Sequence, residues 1–180
     1  MPLKGIAALP IGTEVDARKG TINLQTAENG YDPASPHAQR QRATLSAATF
    51  TVRQARVHKG LARSATIPTD LVLQTPPEAT RACIASRPLK GAVRTLAATV
   101  KGDFRTFAGA STTTARDATF NVTDRCDGTL TEVGRGKVSV DVKGRKRPVT
   151  VSAGRAYLVR ARLFTAKKGR RAATRAGPPA

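Results

Sequence analysis

The chain has 180 residues, 39% of them hydrophobic, and carries 31 Lys and Arg against 12 Asp and Glu, a formal charge of +19. That length fits one domain, or a domain with tails, and argues against a large enzyme. Aromatic residues make up 4% and Trp is absent, while Thr, Val, Ala and Gly are frequent, a balance that favours strands and turns over a helix bundle.

The opening MPLKGIAALPIG has an apolar run from Ile6 to Leu9 that Pro10 and Gly12 break, too short for a signal peptide or a membrane span. An exported protein would need its targeting segment upstream of Met1. Residues 10–26 predict a hairpin around Arg18-Lys19-Gly20, with Ile22 and Leu24 inward and Asn23 and Gln25 outward. Residues 27–41 are rich in Pro, Asn, Asp and Ser without hydrophobic period and predict a surface loop. Alternation through Phe50 and Val52 predicts a strand over 44–57, followed by a basic connector over 58–69. Leu71, Val72 and Leu73 form a short buried strand that Pro76-Pro77 ends, since consecutive prolines donate nothing to a ladder. Residues 76–102 are assigned to a loop, within which Leu89, Val93, Leu96 and Val100, three and four apart, would suit a helical turn or two. Phe104 to Phe107 opens another strand, and Ser111 to Arg116 continues toward the next segment.

Thr119 to Val151 is the most regular stretch. Phe120 and Val122 share one face, Val138, Val140 and Val142 share one, and Val149 and Val151 share another, while Lys137, Ser139, Asp141 and Thr150 turn away. Asp127-Gly128 and Lys143-Gly144 punctuate these runs as hairpin turns. Ala153-Gly154 makes a further turn before a last strand through Tyr157, Leu158 and Val159. The fold class is therefore all-β, a small antiparallel sandwich or β-roll spanning 1–164, with a disordered basic C-terminal tail over 165–180.

Catalytic templates are missing. His37 and His58 stand in loop-like polar context with no cysteine or nucleophile elbow beside them. Gly134-Arg135-Gly136-Lys137 lacks the earlier glycine and the hydroxyl residue of a phosphate-binding loop and reads as a turn. Asp124, Asp127 and Glu132 do not follow the carboxylate order of a calcium loop and read as solvent-facing acids of a hairpin. Asn121-Val122-Thr123 has the pattern of a glycosylation sequon but falls in a predicted strand. No catalytic residue, metal or cofactor is expected. Phe50, Phe104, Phe107 and Phe120 are needed inside, which leaves no aromatic platform for stacking bases.

Cys83 and Cys126 lack CxxC spacing and a nearby histidine pair, so a zinc site does not fit. Two readings remain. A disulfide would close a loop worth roughly 4 kcal/mol in the chain-entropy model and would require an oxidising compartment; two buried free thiols would suit the cytosol. Charge is placed unevenly, since Asp141 is the last acid and twelve Lys or Arg follow it. Lys143, Arg145, Lys146 and Arg147 gather in one hairpin loop, and Lys167, Lys168, Arg170 and Arg171 in the tail. Such clusters attract nucleic acid, teichoic-type polymer or an anionic membrane surface alike, although a charged turn tip also discourages edge-to-edge association.

The blocks LPIGTEVDARKGTINLQTA, ATFTVRQAR and GDFRT, and above all DRCDGTLTEVGRGKVSVDV followed by PVTVSAGRAYLVRA, together resemble FecR-like extracytoplasmic β-domains found at the C-terminal end of envelope proteins in high-GC bacteria. Gly128-Thr129, Val133, Gly136, Val138 and Val140, then Val149, Val151, Ala153 and Gly154, match the family's pattern. The resemblance implies a non-enzymatic all-β module outside the cytoplasm, with Cys83 and Cys126 paired. It does not carry over the signalling role of FecR, because no transmembrane or anti-sigma segment is seen. The expected function is a binding or structural module of the cell envelope that contacts an anionic polymer or another envelope protein. The alternative is a cytoplasmic basic protein that binds nucleic-acid phosphates non-specifically, with a hydrolytic enzyme a distant third.

Overall fold

Ten strands dominate the computed structural model, which describes residues 5, 7–55, 62–76, 83 and 91–161. They are β1 (Glu14–Asp16), β2 (Thr21–Ala27), β3 (Arg40–Ser46), β4 (Thr49–Gln54), β5 (Thr69–Leu73), β6 (Ala92–Phe107), β7 (Ser111–Arg125), β8 (Gly128–Val142), β9 (Val149–Ser152) and β10 (Arg155–Arg160). All belong to one open sheet, in which the path β1-β4-β5-β6-β7-β8-β10 has β3 and β2 branching from β6 and β9 from β8. Every pairing is antiparallel except β5 with β6, so the sheet is mixed where the sequence pointed to an antiparallel one.

The framework is the meander β6-β7-β8, whose strands run 16, 15 and 15 residues. Flat, a 15-residue strand would extend about 50 Å. These do not stay flat. Register slips occur in β6 between Lys101 and Phe104, in β7 between Ala115 and Ala118, and in β8 opposite that same point, so the bulges line up across the three strands. A bulge adds a residue, bends the strand and re-phases its two faces. In β7 the buried positions change from Ser111, Thr113 and Ala115 to Ala118, Phe120 and Val122; in β8 they change from Thr129, Thr131 and Val133 to Val138 and Val140.

Two glycines make this crease possible. Gly102 (φ +109°) and Gly136 (φ +76°) occupy the left-handed region that side chains avoid. A Cβ on Gly136 would overlap the Asp117 carbonyl, and one on Gly102 would overlap the Gln41 side chain. The β9–β10 turn braces the bulge of β8, with Ala153 N–H donating to Gly136 O (2.9 Å) and Gly154 N–H to Val133 O (2.7 Å). Gly134 to Gly136 is thus a bulge within β8 and not the turn that its composition suggested.

Bent at the crease, the sheet doubles into two layers. The ends of β7 meet: Gly109, before the strand, donates its N–H to Asp124 near the strand's far end, at 2.9–3.0 Å. Thr113 and Thr131, one from each layer, share a hydrogen bond across the interior. Between the layers lies a single core in which Phe50, Phe104, Phe120, Leu45, Leu71 and Leu96 are almost wholly buried. The roll expected from sequence therefore forms from one continuous sheet. At the crease end, buried Gln41 acts as a peg: its amide donates to Ala27 O, Ile67 O and Thr69 Oγ1, and its Oε1 accepts from Asp103 N–H.

Several expectations change in this topology. β1 pairs with β4 and β2 with β3, so residues 18–20 carry the chain between layers and no hairpin joins β1 to β2. The strand expected over 44–57 is cut at Ala47 (φ 67°), with the residues before it ending β3 and those from Thr49 forming β4. Residues 92–102, assigned to the loop over 76–102, are strand, and the helical spacing around Leu96 and Val100 coincides with inward positions of β6. Val138 and Val140 face Val151 and Val149 across the ladder, so both valine sets line the same interior face. The loop over 27–41 is present between β2 and β3 but ordered, because buried Asn29 holds His37 O and Gln39 N–H. The expected disorder of residues 165–180 lies outside the described residues, as does His58.

Replacing Gly136 with Ala should cost at least about 2 kcal/mol, from strain at positive φ joined to overlap with a backbone carbonyl. Urea unfolding of the variant checks this. An unchanged midpoint would mean that the crease does not need glycine there.

Candidate polyanion-binding surface

Doubling the sheet separates its two ends. The crease forms one. At the other, here called the open end, lie the turns at 18–20, 108–110, 126–127 and 143–148, together with the C-terminal end of β10.

The open end is clasped by buried charge. Arg94 on β6 and Asp124 on β7 pair at 2.6 Å with side chains only 10% and 9% exposed. The Asp124 carboxylate also accepts the Gly109 N–H and the Thr129 hydroxyl, and Arg94 donates a further bond to Leu73 O at 2.5 Å. Ala110 N–H completes the clasp by donating to Thr129 Oγ1. Asp124 is accordingly a buried structural group, unlike the solvent-facing acid its hairpin position suggested. Asp127 does face solvent and pairs with Arg125 at 2.7 Å, while Glu132 is exposed on the outer face, so the three acids are not brought together. Within the described residues no group of three His, Cys, Asp or Glu is placed to hold a metal ion.

Cys83 and Cys126 are joined, S–S 2.06 Å, across a separation of 43 residues. Cys126 sits in the β7–β8 turn, two residues from Asp124, so the bond ties the connector after β5 to the same clasped end.

Over this platform projects the β8–β9 loop, in which Lys143, Arg145, Lys146 and Arg147 are all exposed. Arg145 donates to the Tyr157 hydroxyl at 3.1 Å, which brings the loop against β10. Ala161, just after β10, donates its N–H to Asp127 O at 2.9 Å, placing the root of the C-terminal segment at this end too. The structure thus gathers four of the eight sequence-nominated cations; Lys167, Lys168, Arg170 and Arg171 lie outside the described residues.

Sequence reading missed a second set of cations. Arg42, Lys101, Arg116, Arg135 and Lys137 are exposed around the crease, distributed over four strands. Only strand register brings them together, so no local pattern betrays them. Part of the outer surface between them is uncharged, with Thr95 bonded to Thr123, Thr99 to Thr119, and Thr44 to Asn23. A shallow cleft of about 320 Å³ between β7, β8 and β10 is lined by Asn121, Glu132 and Arg155 among others, with no histidine or cysteine. Asn121 of the sequon lies on β7, exposed.

No protein-family model matches the chain, and a search of the curated proteins finds no match either. No helix among the described residues is long and apolar enough to cross a membrane.

Two measurements probe the clasp. Asp124→Ala leaves Arg94 buried without its partner and should cost about 3–5 kcal/mol, lowering the thermal midpoint by roughly ten degrees for a domain of this size. Reduction of the disulfide should cost up to about 4 kcal/mol through the freed chain, read as a lower urea midpoint with dithiothreitol. A midpoint indifferent to reductant would show that the connector contributes nothing when cross-linked.

Proposed function

We propose that this chain is a non-enzymatic, FecR-like binding module of the bacterial cell envelope, which grips an anionic polymer at its open end. The observation that carries this reading is the convergence of the exposed Lys143, Arg145, Lys146 and Arg147 loop with the root of a C-terminal segment rich in Lys and Arg. Phosphodiester chains of the teichoic type supply one negative charge per repeat, and cations on a loop and its neighbouring segment neutralise successive phosphates by releasing counterions. Such binding needs no pocket, in keeping with the shallow relief of the surface. The disulfide supports a compartment outside the cytoplasm, where oxidising conditions preserve it. The FecR-like blocks point the same way.

Binding to labelled poly(glycerol phosphate), followed by fluorescence anisotropy over a salt series, tests the ligand. Lys146→Gln with Arg147→Gln should lower the slope of log K against log salt by about 1.4, the value for two lost contacts to a flexible chain. An unchanged slope would remove the open end as the site. Tighter binding to a DNA duplex of equal charge would instead favour the nucleic-acid alternative. Thiol titration of unfolded protein from its native host should find no free cysteine; two free thiols would overturn the envelope placement.

A further inference from the structure

We infer that the convex outer side of the crease is a second polyanion-binding surface, suited to a flexible phosphodiester chain. This rests on the polyanion reading of the open end and extends it to residues at the opposite end of the molecule. Lys137 begins the stretch of β8 that ends at Val142, about 17 Å away, so the two surfaces do not merge.

Register builds the ridge. Arg42 lies directly across from Lys101, and Lys101 across from Asp117, while Thr119 faces Arg135 on the next strand. From β3 to β8 this covers three strand spacings, about 14 Å. Two acids moderate it: Asp117 pairs with Arg135 at 2.9 Å and Asp103 with Arg116 at 3.1 Å. Arg42, Lys101 and Lys137 have no acidic partner among the described residues, and the ridge keeps a net positive charge.

The Arg42 and Lys101 pair is the telling feature. Like charges directly opposed on neighbouring strands oppose folding, and the fold gains nothing visible from this one. Other neighbouring positions of the same face use Thr, Asn and Gln, which shows that neutral residues suit the geometry, while Arg40 adds a further cation two residues along β3 and Asp117, opposite Lys101, is already paired with Arg135. A residue choice that works against local stability at an exposed site marks a functional demand, and an anion laid between the two cations meets it. Curvature selects the partner. A duplex, stiff over about 150 base pairs, meets a convex ridge only tangentially, whereas a flexible chain can drape over it and reach Arg42, Lys101 and Lys137 together. The ridge also presents no exposed aromatic ring on which bases could stack.

The test is the triple variant Arg42→Gln, Lys101→Gln, Lys137→Gln in the full chain, set beside the open-end variant and probed with poly(glycerol phosphate) and a DNA duplex. The triple variant should lower the salt slope for poly(glycerol phosphate) by about 2 and weaken binding at least about tenfold at low salt. Its thermal midpoint should equal or exceed that of the parent, because the opposed pair has gone. If the triple variant binds as the parent does while the open-end variant loses affinity, the ridge is overturned and the open-end reading stands. If neither variant changes, both fall. Loss of duplex binding with retention of poly(glycerol phosphate) binding would overturn the assignment to a flexible chain, and a lower midpoint would overturn the claim that the pair strains the fold.

Discussion

The structure depends on one constraint, the alignment of bulges across β6, β7 and β8. Three strands of this length in one meander have a face too broad for any other element of a short chain to cover. Folding the meander lets that face bury itself. For the fold to occur, all three strands must bend at the same level, and the register slips at Lys101–Phe104 and Ala115–Ala118 satisfy this, with Gly102 and Gly136 where side chains cannot go. The bend also exchanges the faces of β7 and β8, while β6 keeps Leu96, Ala98, Val100 and Phe104 inward throughout, so apolar residues point inward on both sides of it. The single core follows from that re-phasing.

Bending alone does not hold two layers together at the far end, where the hydrophobic filling thins out and the turns crowd. There the chain uses directional bonds. The Arg94–Asp124 pair reaches the ends of β5, β6 and β7, and Asp124 extends to β8 through Thr129. A buried ion pair is a weak source of net stability, because desolvation offsets most of the attraction. Its value here is geometric: four strand ends and a turn must arrive together for the charges to be satisfied. The disulfide adds the connector after β5 to the same point. A cationic loop carried on such an end is held at a fixed place, which under the proposed function would lower the entropy its cations lose on binding.

Local pattern made much of this legible. The hairpins at Asp127-Gly128, Lys143-Gly144 and Ala153-Gly154 stand where glycine and the valine alternation put them. What escaped depends on contacts far apart in sequence. The spacing of Leu96 and Val100 suits a helix or a strand, and only pairing with β3 and β7 decides it. Arg18-Lys19-Gly20 signals a turn without signalling that the flanking strands pair elsewhere. Gly134 and Gly136 look like a turn because bulges and turns ask the same backbone freedom of glycine. Asp124 looks exposed because a charged residue beside a turn usually is, and its partner Arg94 is 30 residues away. The loop cations were visible as a run, whereas Arg42, Lys101 and Lys137 become neighbours only through register.

Charge is divided by chemical task. Among the described residues six aspartates pair with six arginines, and none of these six pairs uses a lysine. Arginine's planar fork suits fixed, often two-pronged bonds to carboxylate. Asp16 is an exposed example: two hydrogen bonds from the Arg18 side chain, with a third from its backbone, hold the carboxyl well below the usual range. With 31 Lys and Arg against 12 acids, cations outnumber the carboxylates that could pair with them, and self-repulsion places a cost on every one kept near another. A fold indifferent to them would scatter them. Two sets instead gather at the ends of the doubled sheet, Lys143 to Arg147 at one and Arg42, Lys101 and Lys137 at the other, while hydroxyl and amide groups occupy part of the face between them; contact with an extended anion, as proposed above, would account for that distribution.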